Sequence, residues 1–196
     1  MFNLYLTPND PEETLLVSSD GVVHYKVTTS KPNIFNSCAK TTIESPQGAN
    51  GVRSVAVIKW RRWSHPSVRT DIFDGIEQEM ELREFLYKLD GKFTSTRYFL
   101  GSDDIEYRWK DIAYTGPILC NRRTKHEIAR FTQELQPDGY THSERRWFLQ
   151  IQNTSLPIDM IVLTFIILEK RRRDRIRNPN DTLHDEEPIE GGCGEC

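Results

Sequence analysis

The segment Met160–Leu168, MIVLTFIIL, is apolar on every side of a helix, with Thr164 the one partial exception. A helix that is apolar all round has to be surrounded on all faces. A bilayer does not qualify as the surround, because a span needs about 20 apolar residues and the run from Ile158 to Leu168 is already interrupted by Asp159 and Thr164. Protein must therefore enclose it. Ser155 suits a cap, Pro157 a first turn, and Asp159 the positive end of the helix dipole. The helix is expected over 155–177.

What precedes it reads as strands. In IEYRWKD, Ile105, Tyr107 and Trp109 alternate with Glu106, Arg108 and Lys110, and in RWFLQIQ, Trp147, Leu149 and Ile151 alternate with Phe148, Gln150 and Gln152. Val23, Tyr25 and Val27 share a face in GVVHYKVTT, while VRSVAVIKW is apolar on both faces and reads as buried on both sides. Alternation of period two marks half-buried strands. Turn pairs punctuate the runs at Asp20-Gly21, Gln47-Gly48, Asp74-Gly75, Asp90-Gly91, Gly116-Pro117 and Asp138-Gly139. The expected strands lie near 3–6, 14–18, 22–29, 40–45, 52–61, 67–73, 79–87, 93–100, 105–112, 117–121, 126–135 and 145–152. The segment 76–89 also has helical composition and is assigned to strand because its neighbours are strands. About eight strands close a barrel that side chains alone fill, so one holding a helix needs more. The expected fold class is mainly β: a closed barrel of about twelve strands enclosing a hydrophobic C-terminal α-helix. Residues 1–177 form this domain, and 178–196 are expected to be a disordered acidic tail.

The chain resembles the tubby C-terminal-like superfamily, which includes the tubby, phospholipid-scramblase-like and LURP-one-related domains. Within it the chain is similar to a fungal family known as a domain of unknown function. The resemblance is carried by LYLTPNDPEETLLVSSDG from Leu4, TTI from Thr41, VAVIKW from Val55, RYFLGSDDIEYRWK from Arg97 and LPIDMIVLTFIILEKRRRDR from Leu156. Family members commonly carry Asp-Gly in the hairpin turn where this chain has Asp103-Asp104, so the turn is expected to be of another type or mildly strained. The resemblance implies a tubby-like barrel. Tubby domains bind phosphoinositides through basic surface residues, and scramblase-like members act at membranes.

Composition narrows the chemistry. The 196 residues include 26 Lys and Arg against 29 Asp and Glu, a formal net charge of −3. Nucleic-acid binders are normally basic, so no nucleic-acid partner is expected. No hydrolase elbow, metal-protease His pair, phosphate-cradling glycine loop or dinucleotide fingerprint is present, and His24, His65, His126, His142 and His184 lack metal-ligand spacing. The expectation is a protein that is not an enzyme and carries no cofactor or metal. Asp103, Asp104 and Glu106 lack the further oxygen ligands and glycine of a calcium loop and read as a solvated hairpin tip. Cys38 and Cys120 read as reduced packing residues. Cys193 and Cys196 in the terminal C-G-E-C fit a free pair on a tail, half a metal site, or a lipidation signal. The N-terminus has neither the basic start nor the apolar stretch of a secretory signal, and the expected location is cytoplasmic or peripheral on a membrane.

Three basic clusters stand out. Lys59, Arg61 and Arg62 straddle Trp60 and Trp63 in KWRRW; Arg122, Arg123 and Lys125 sit in a predicted hairpin turn; Lys170, Arg171, Arg172, Arg173, Arg175 and Arg177 follow the apolar helix. Guanidinium groups pair with phosphates while an indole sits at a headgroup boundary, so these clusters are candidate sites for anionic headgroups, with Trp63 as an interfacial anchor. The plainer readings are a strand whose Trp faces the core and cations that complement a helix C-terminus. The acidic tail, with Asp181, Asp185, Glu186, Glu187, Glu190 and Glu195, is placed to screen the basic stretch. The expected function is binding of anionic phospholipid or phosphoinositide headgroups; the alternative is a protein-interaction scaffold without a lipid ligand.

Overall fold

In the computed structural model, residues 1–31, 38–48, 51–61, 65–89, 95–112, 116–135 and 145–178 are described. Twelve strands and two helices occupy them: β1 (Phe2–Thr7), β2 (Glu13–Val17), β3 (Val23–Ser30), β4 (Ala39–Gly48), β5 (Gly51–Trp60), β6 (Ser67–Thr70), β7 (Gln78–Glu81), α1 (Leu82–Phe85), β8 (Arg97–Leu100), β9 (Glu106–Ile112), β10 (Gly116–Asn121), β11 (Glu127–Leu135), β12 (Arg145–Ile151) and α2 (Ile158–Arg177). The expected acidic tail and its cysteines lie outside the described residues.

All twelve strands join one antiparallel sheet in the order β7-β6-β5-β4-β3-β2-β1-β12-β11-β10-β9-β8. The chain thus meanders from strand to strand, with β12 returning to lie beside β1, Leu4 opposite Leu149. No ladder joins the edge strands β7 and β8. Between them lie α1 and one antiparallel bridge, in which Tyr87 and Tyr98 exchange backbone hydrogen bonds of 2.9 and 2.8 Å.

The core sits between sheet and helix. From Met160 through Lys170 every residue of α2 is buried, as an all-apolar surface requires. Trp109, Phe131 and Phe165 are fully buried aromatics, and the rings of Phe131 and Phe165 lie 4.8 Å apart. The single hydroxyl in the apolar run is used twice: Thr164 Oγ1 donates back to the Met160 carbonyl at 2.8 Å and accepts from the Trp109 indole N–H at 3.0 Å. Val55, Ala56, Val57 and Ile58 are all buried, which accounts for the doubly apolar pattern of β5.

Three local expectations are corrected. The segment 79–87 is not one strand: β7 ends at Glu81 and α1 follows, burying Leu82, Phe85 and Leu86. Those three residues have helical spacing, and the helical turn carries the chain off the edge of the sheet. Helix α2 starts at Ile158, with Pro157 as its N-cap and no side-chain cap bond. Ser155 is not the cap; its hydroxyl donates to Asp103 Oδ2 at 3.0 Å. Asp103 and Glu106 are not a solvated tip. Asp103 Oδ2 also accepts from the Tyr107 hydroxyl at 2.7 Å, and Glu106 accepts from both Tyr87 and Arg122.

Candidate functional site

Strand direction decides which basic residues meet. β5 runs alongside α2: Arg53 near its start pairs with Asp159 in the first turn of the helix, and Trp60 at its end lies under Lys170, whose Nζ is 5.0 Å from the ring centroid. The end of β5 and the C-terminal part of α2 therefore share one end of the molecule. The turn from β10 to β11 lies at the other end, because β10 is antiparallel to β9, Asn121 opposite Tyr107, and β9 leads upward from the Asp103–Ser155 contact at the start of the helix.

At the α2 C-terminal end, Lys59 Nζ lies 2.8 Å from Glu79 and Arg61 lies 3.7 Å from it. The hydrogen bonds from Lys59 and Ser67 hold the Glu79 carboxyl below its ordinary pKa. Arg172 grips Glu169 through two bonds of 2.7 and 2.8 Å, and Arg173 adds a third at 2.7 Å. Glu169 is 0% exposed, so this is a buried carboxylate capped by two guanidinium groups, the arrangement that makes burial of a charge tolerable. Arg173 also donates to the Asn9 carbonyl and side chain, each at 2.6 Å, tying the β1–β2 connection to the helix. Lys170 is 8% exposed. Burial alone would lower its pKa, but its contacts with Asp174 and Glu12 at 2.8 and 2.9 Å outweigh that and the net shift is upward. The exposed basic surface here is formed by Lys31, Lys40, Arg61, Arg175 and Arg177, with Arg171 half-buried beside them. Arg62 and Trp63 lie outside the described residues.

The Arg122 cluster belongs to a different surface. Arg122 pairs with Glu106 and stacks 5.3 Å over the Tyr98 ring. The side chain of Arg123 is exposed, and Lys125, at φ 64°, donates to the Arg122 carbonyl at 2.7 Å. The turns around it carry Asp20, Asp74, Glu77 and Asp104, all exposed. The exposed cations from β3, β4, β5 and α2 thus gather at the C-terminal end of α2, where Glu13, Glu79, Glu84, Asp111 and Glu134 are exposed as well. The sequence contains the signal for this. In a fully antiparallel order, connections after odd-numbered strands lie at one end and those after even-numbered strands at the other. The Arg61–Arg62 connection follows β5, while the Arg122–Lys125 turn follows β10.

At the α2 N-terminal end, Tyr25 donates to Asp159 at 2.6 Å, and Arg53 bridges Asp159 and Asp71. Burial, reinforced by the Asp159 bond and charge, pushes the Tyr25 phenol upward. The nearest thing to a nucleophile constellation is Ser18, whose hydroxyl lies 2.9 Å from His24 Nε2. Its carboxylate, Asp20, accepts from Ser18 itself, so the serine–base–carboxylate relay order of a triad is not built. Among the described residues no group of three His, Cys, Asp or Glu side chains is placed to hold a metal ion, and no helix is long and apolar enough to cross a membrane.

No curated protein and no solved structure matches the chain. Residues 9–174, from the β1–β2 connection to the last turns of α2, match a family of unknown function, DUF6593. That match spans β2 to β12 and all of α2 up to Asp174, and the chain belongs to this family.

Proposed function

We propose that the protein is a non-catalytic module that binds anionic phospholipid or phosphoinositide headgroups with the α2 C-terminal end of the molecule. The observation that carries this reading is a gathering of exposed cations: a chain of net charge −3 brings Lys31, Lys40, Arg61, Arg175 and Arg177 from β3, β4, β5 and α2 to one end. Juxtamembrane cations contribute about 1 kcal/mol each near an anionic surface, and exposed Arg61, Arg175 and Arg177 are placed to supply several. Arg172 and Arg173 serve Glu169 and contribute less. The proposed site leaves out Arg122, Arg123 and Lys125, which lie at the opposite end of α2. We further propose that the sheet wraps into a barrel closed through α1 and the Tyr87–Tyr98 bridge, with α2 inside, in the manner of tubby-like domains. The burial of every face of α2 from Met160 to Lys170 supports that closure.

Vesicle co-sedimentation of the full chain is the test. Binding to phosphatidylserine or phosphoinositide vesicles at low salt, lost at high salt and absent with neutral vesicles, is expected. Arg61→Glu combined with Arg175→Glu weakens it at least tenfold, and Arg123→Glu leaves it unchanged. Equal loss from Arg123→Glu, or no binding at low salt, refutes the reading and favours a protein-interaction role.

A further inference from the structure

We propose that the opposite end of the molecule, around the α2 N-terminus, is a docking surface for a partner protein segment that is both cationic and apolar. This goes beyond the headgroup reading and uses the other end of the fold, so neither depends on the other. Four turns at this end share one construction. Each has a residue in the left-handed backbone region followed at once by a β-branched aliphatic: Gly21 at φ 85° then Val22, Gly51 at φ 104° then Val52, Gly75 at φ 70° then Ile76, and Asp104 at φ 56° then Ile105. All four aliphatics are exposed, Val52 and Ile76 at 66% each.

These turns follow β2, β4, β6 and β8, so they lie on one rim. The first three are successive along the sheet and two strands apart, about 10 Å from one to the next. Arg53–Asp159 and Ser155–Asp103 tie the rim to the helix start, and Ile158, the first residue of α2, is itself exposed. A single exposed aliphatic is ordinary. Turn tips, however, favour Gly, Pro, Asn, Asp and Ser, and nothing in the packing of these turns calls for Val or Ile at the same place four times. The left-handed residue matters because it turns the chain sharply just before the exposed aliphatic.

Charge chooses the occupant. Asp20, Asp74, Glu77 and Asp104 are exposed among these aliphatics. An anionic membrane is repelled by them, and so is the same face of a second copy. A partner segment presenting aliphatic side chains flanked by Lys or Arg satisfies both features; within the stretch from Val22 to Ile76, Arg53 is held by Asp71 and Asp159 and Arg69 by Glu77, and the β10–β11 turn with its exposed cations lies outside it.

Isothermal titration of the full chain with two synthetic peptides tests this: an amphipathic Leu–Lys peptide, and one of equal charge with Ser in place of Leu. The Leu–Lys peptide is expected to bind at least tenfold more tightly. Val52→Asp combined with Ile76→Asp is expected to weaken that binding at least tenfold, although it makes the rim more negative, while Ile176→Asp, exposed in the last turn of α2 at the other end, changes nothing. Val52→Thr with Ile76→Thr provides a milder pair, should the aspartates lower the melting temperature. Unchanged or tighter binding by the aspartate pair means plain charge attraction and overturns the proposal, as does no binding at all. A dimer in sedimentation velocity that Ile76→Asp dissociates overturns it in favour of a second copy; flotation with neutral vesicles, lost in the same variant, overturns it in favour of a bilayer.

Discussion

At the scale of single residues, backbone geometry separates glycines that look alike in sequence. Gly116 opens β10 at φ 84°, and a Cβ there would lie 2.4 Å from the Phe131 carbonyl oxygen of the neighbouring β11. Gly75 has a similar φ of 70° but open space around it. Left-handed backbone costs a non-glycine residue about 1–2 kcal/mol, and a clash with fixed backbone adds about 1–3 kcal/mol more. Gly116→Ala is therefore expected to lose about 2–5 kcal/mol in urea unfolding, and Gly75→Ala only about 1–2 kcal/mol. Equal losses would mean that conformation alone, and not the approach of β11, constrains Gly116. Asp104 shows the same geometry from the other side: it holds φ 56° without being glycine, the mild strain expected of an Asp103-Asp104 turn. That much was legible from two adjacent aspartates. The roles of Asp103 and Glu106 were not, because their partners Ser155, Tyr87 and Arg122 are far away in sequence and acidic residues in a turn ordinarily face water.

At the scale of elements, α2 is held at both ends by polar networks that seal an apolar middle. Asp159 takes Tyr25 and Arg53 at its start, and Glu169 takes Arg172 and Arg173 near its end. The approach to the helix is fixed by Asp103, which joins Ser155 to Tyr107. Burial, followed by the Asp103 bond, raises the Tyr107 phenol to about 12, and Tyr25 shifts in the same direction. An unfolded tyrosine titrates near 10, so between pH 10 and 12 the unfolded chain has lost a proton that the folded one retains. Stability then falls as pH rises: the contribution is complete below pH 10 and is lost on approach to pH 12. The melting temperature is expected to drop steeply over that interval. Tyr107→Phe melts lower at pH 8, having lost a hydrogen bond, and declines less steeply above pH 10; an unchanged slope would exclude Tyr107 as a contributor. Periodicity could place α2 and nearly every strand, since alternation and an all-apolar helix are local signals. It misjudged α1, where Leu82, Phe85 and Leu86 sit among strands and a single helical turn has too few residues to outweigh that context. Nor was the burial of Glu169 and Lys170 legible, because it depends on Arg172, Arg173, Glu12 and Asp174 gathering around them.

At the scale of the whole molecule, the distribution of charge matters more than its sum. A net charge of −3 describes a weakly acidic object, and a uniform object of that kind passes through a cation exchanger at pH 7.5. The two ends of this one are separated by the length of α2, twenty residues or about 30 Å at the usual helical rise. Screening acts over about 10 Å at 0.1 M salt, so each end interacts with a charged surface almost independently of the other. The acidic rim of Asp20, Asp74, Glu77 and Asp104 and the basic end bearing Arg61, Arg175 and Arg177 behave as two surfaces on one body. The full chain is accordingly expected to be retained at low salt on cation and anion exchangers alike. Arg61→Glu with Arg175→Glu and Arg177→Glu abolishes retention on the cation exchanger, and Arg122→Glu with Arg123→Glu leaves it in place, because those two arginines stand among the carboxylates of the other end. Passage of the wild-type chain straight through the cation exchanger would show that Glu12, Glu79, Glu169 and Asp174 neutralise the basic end, and no anionic headgroup would then find a field to enter.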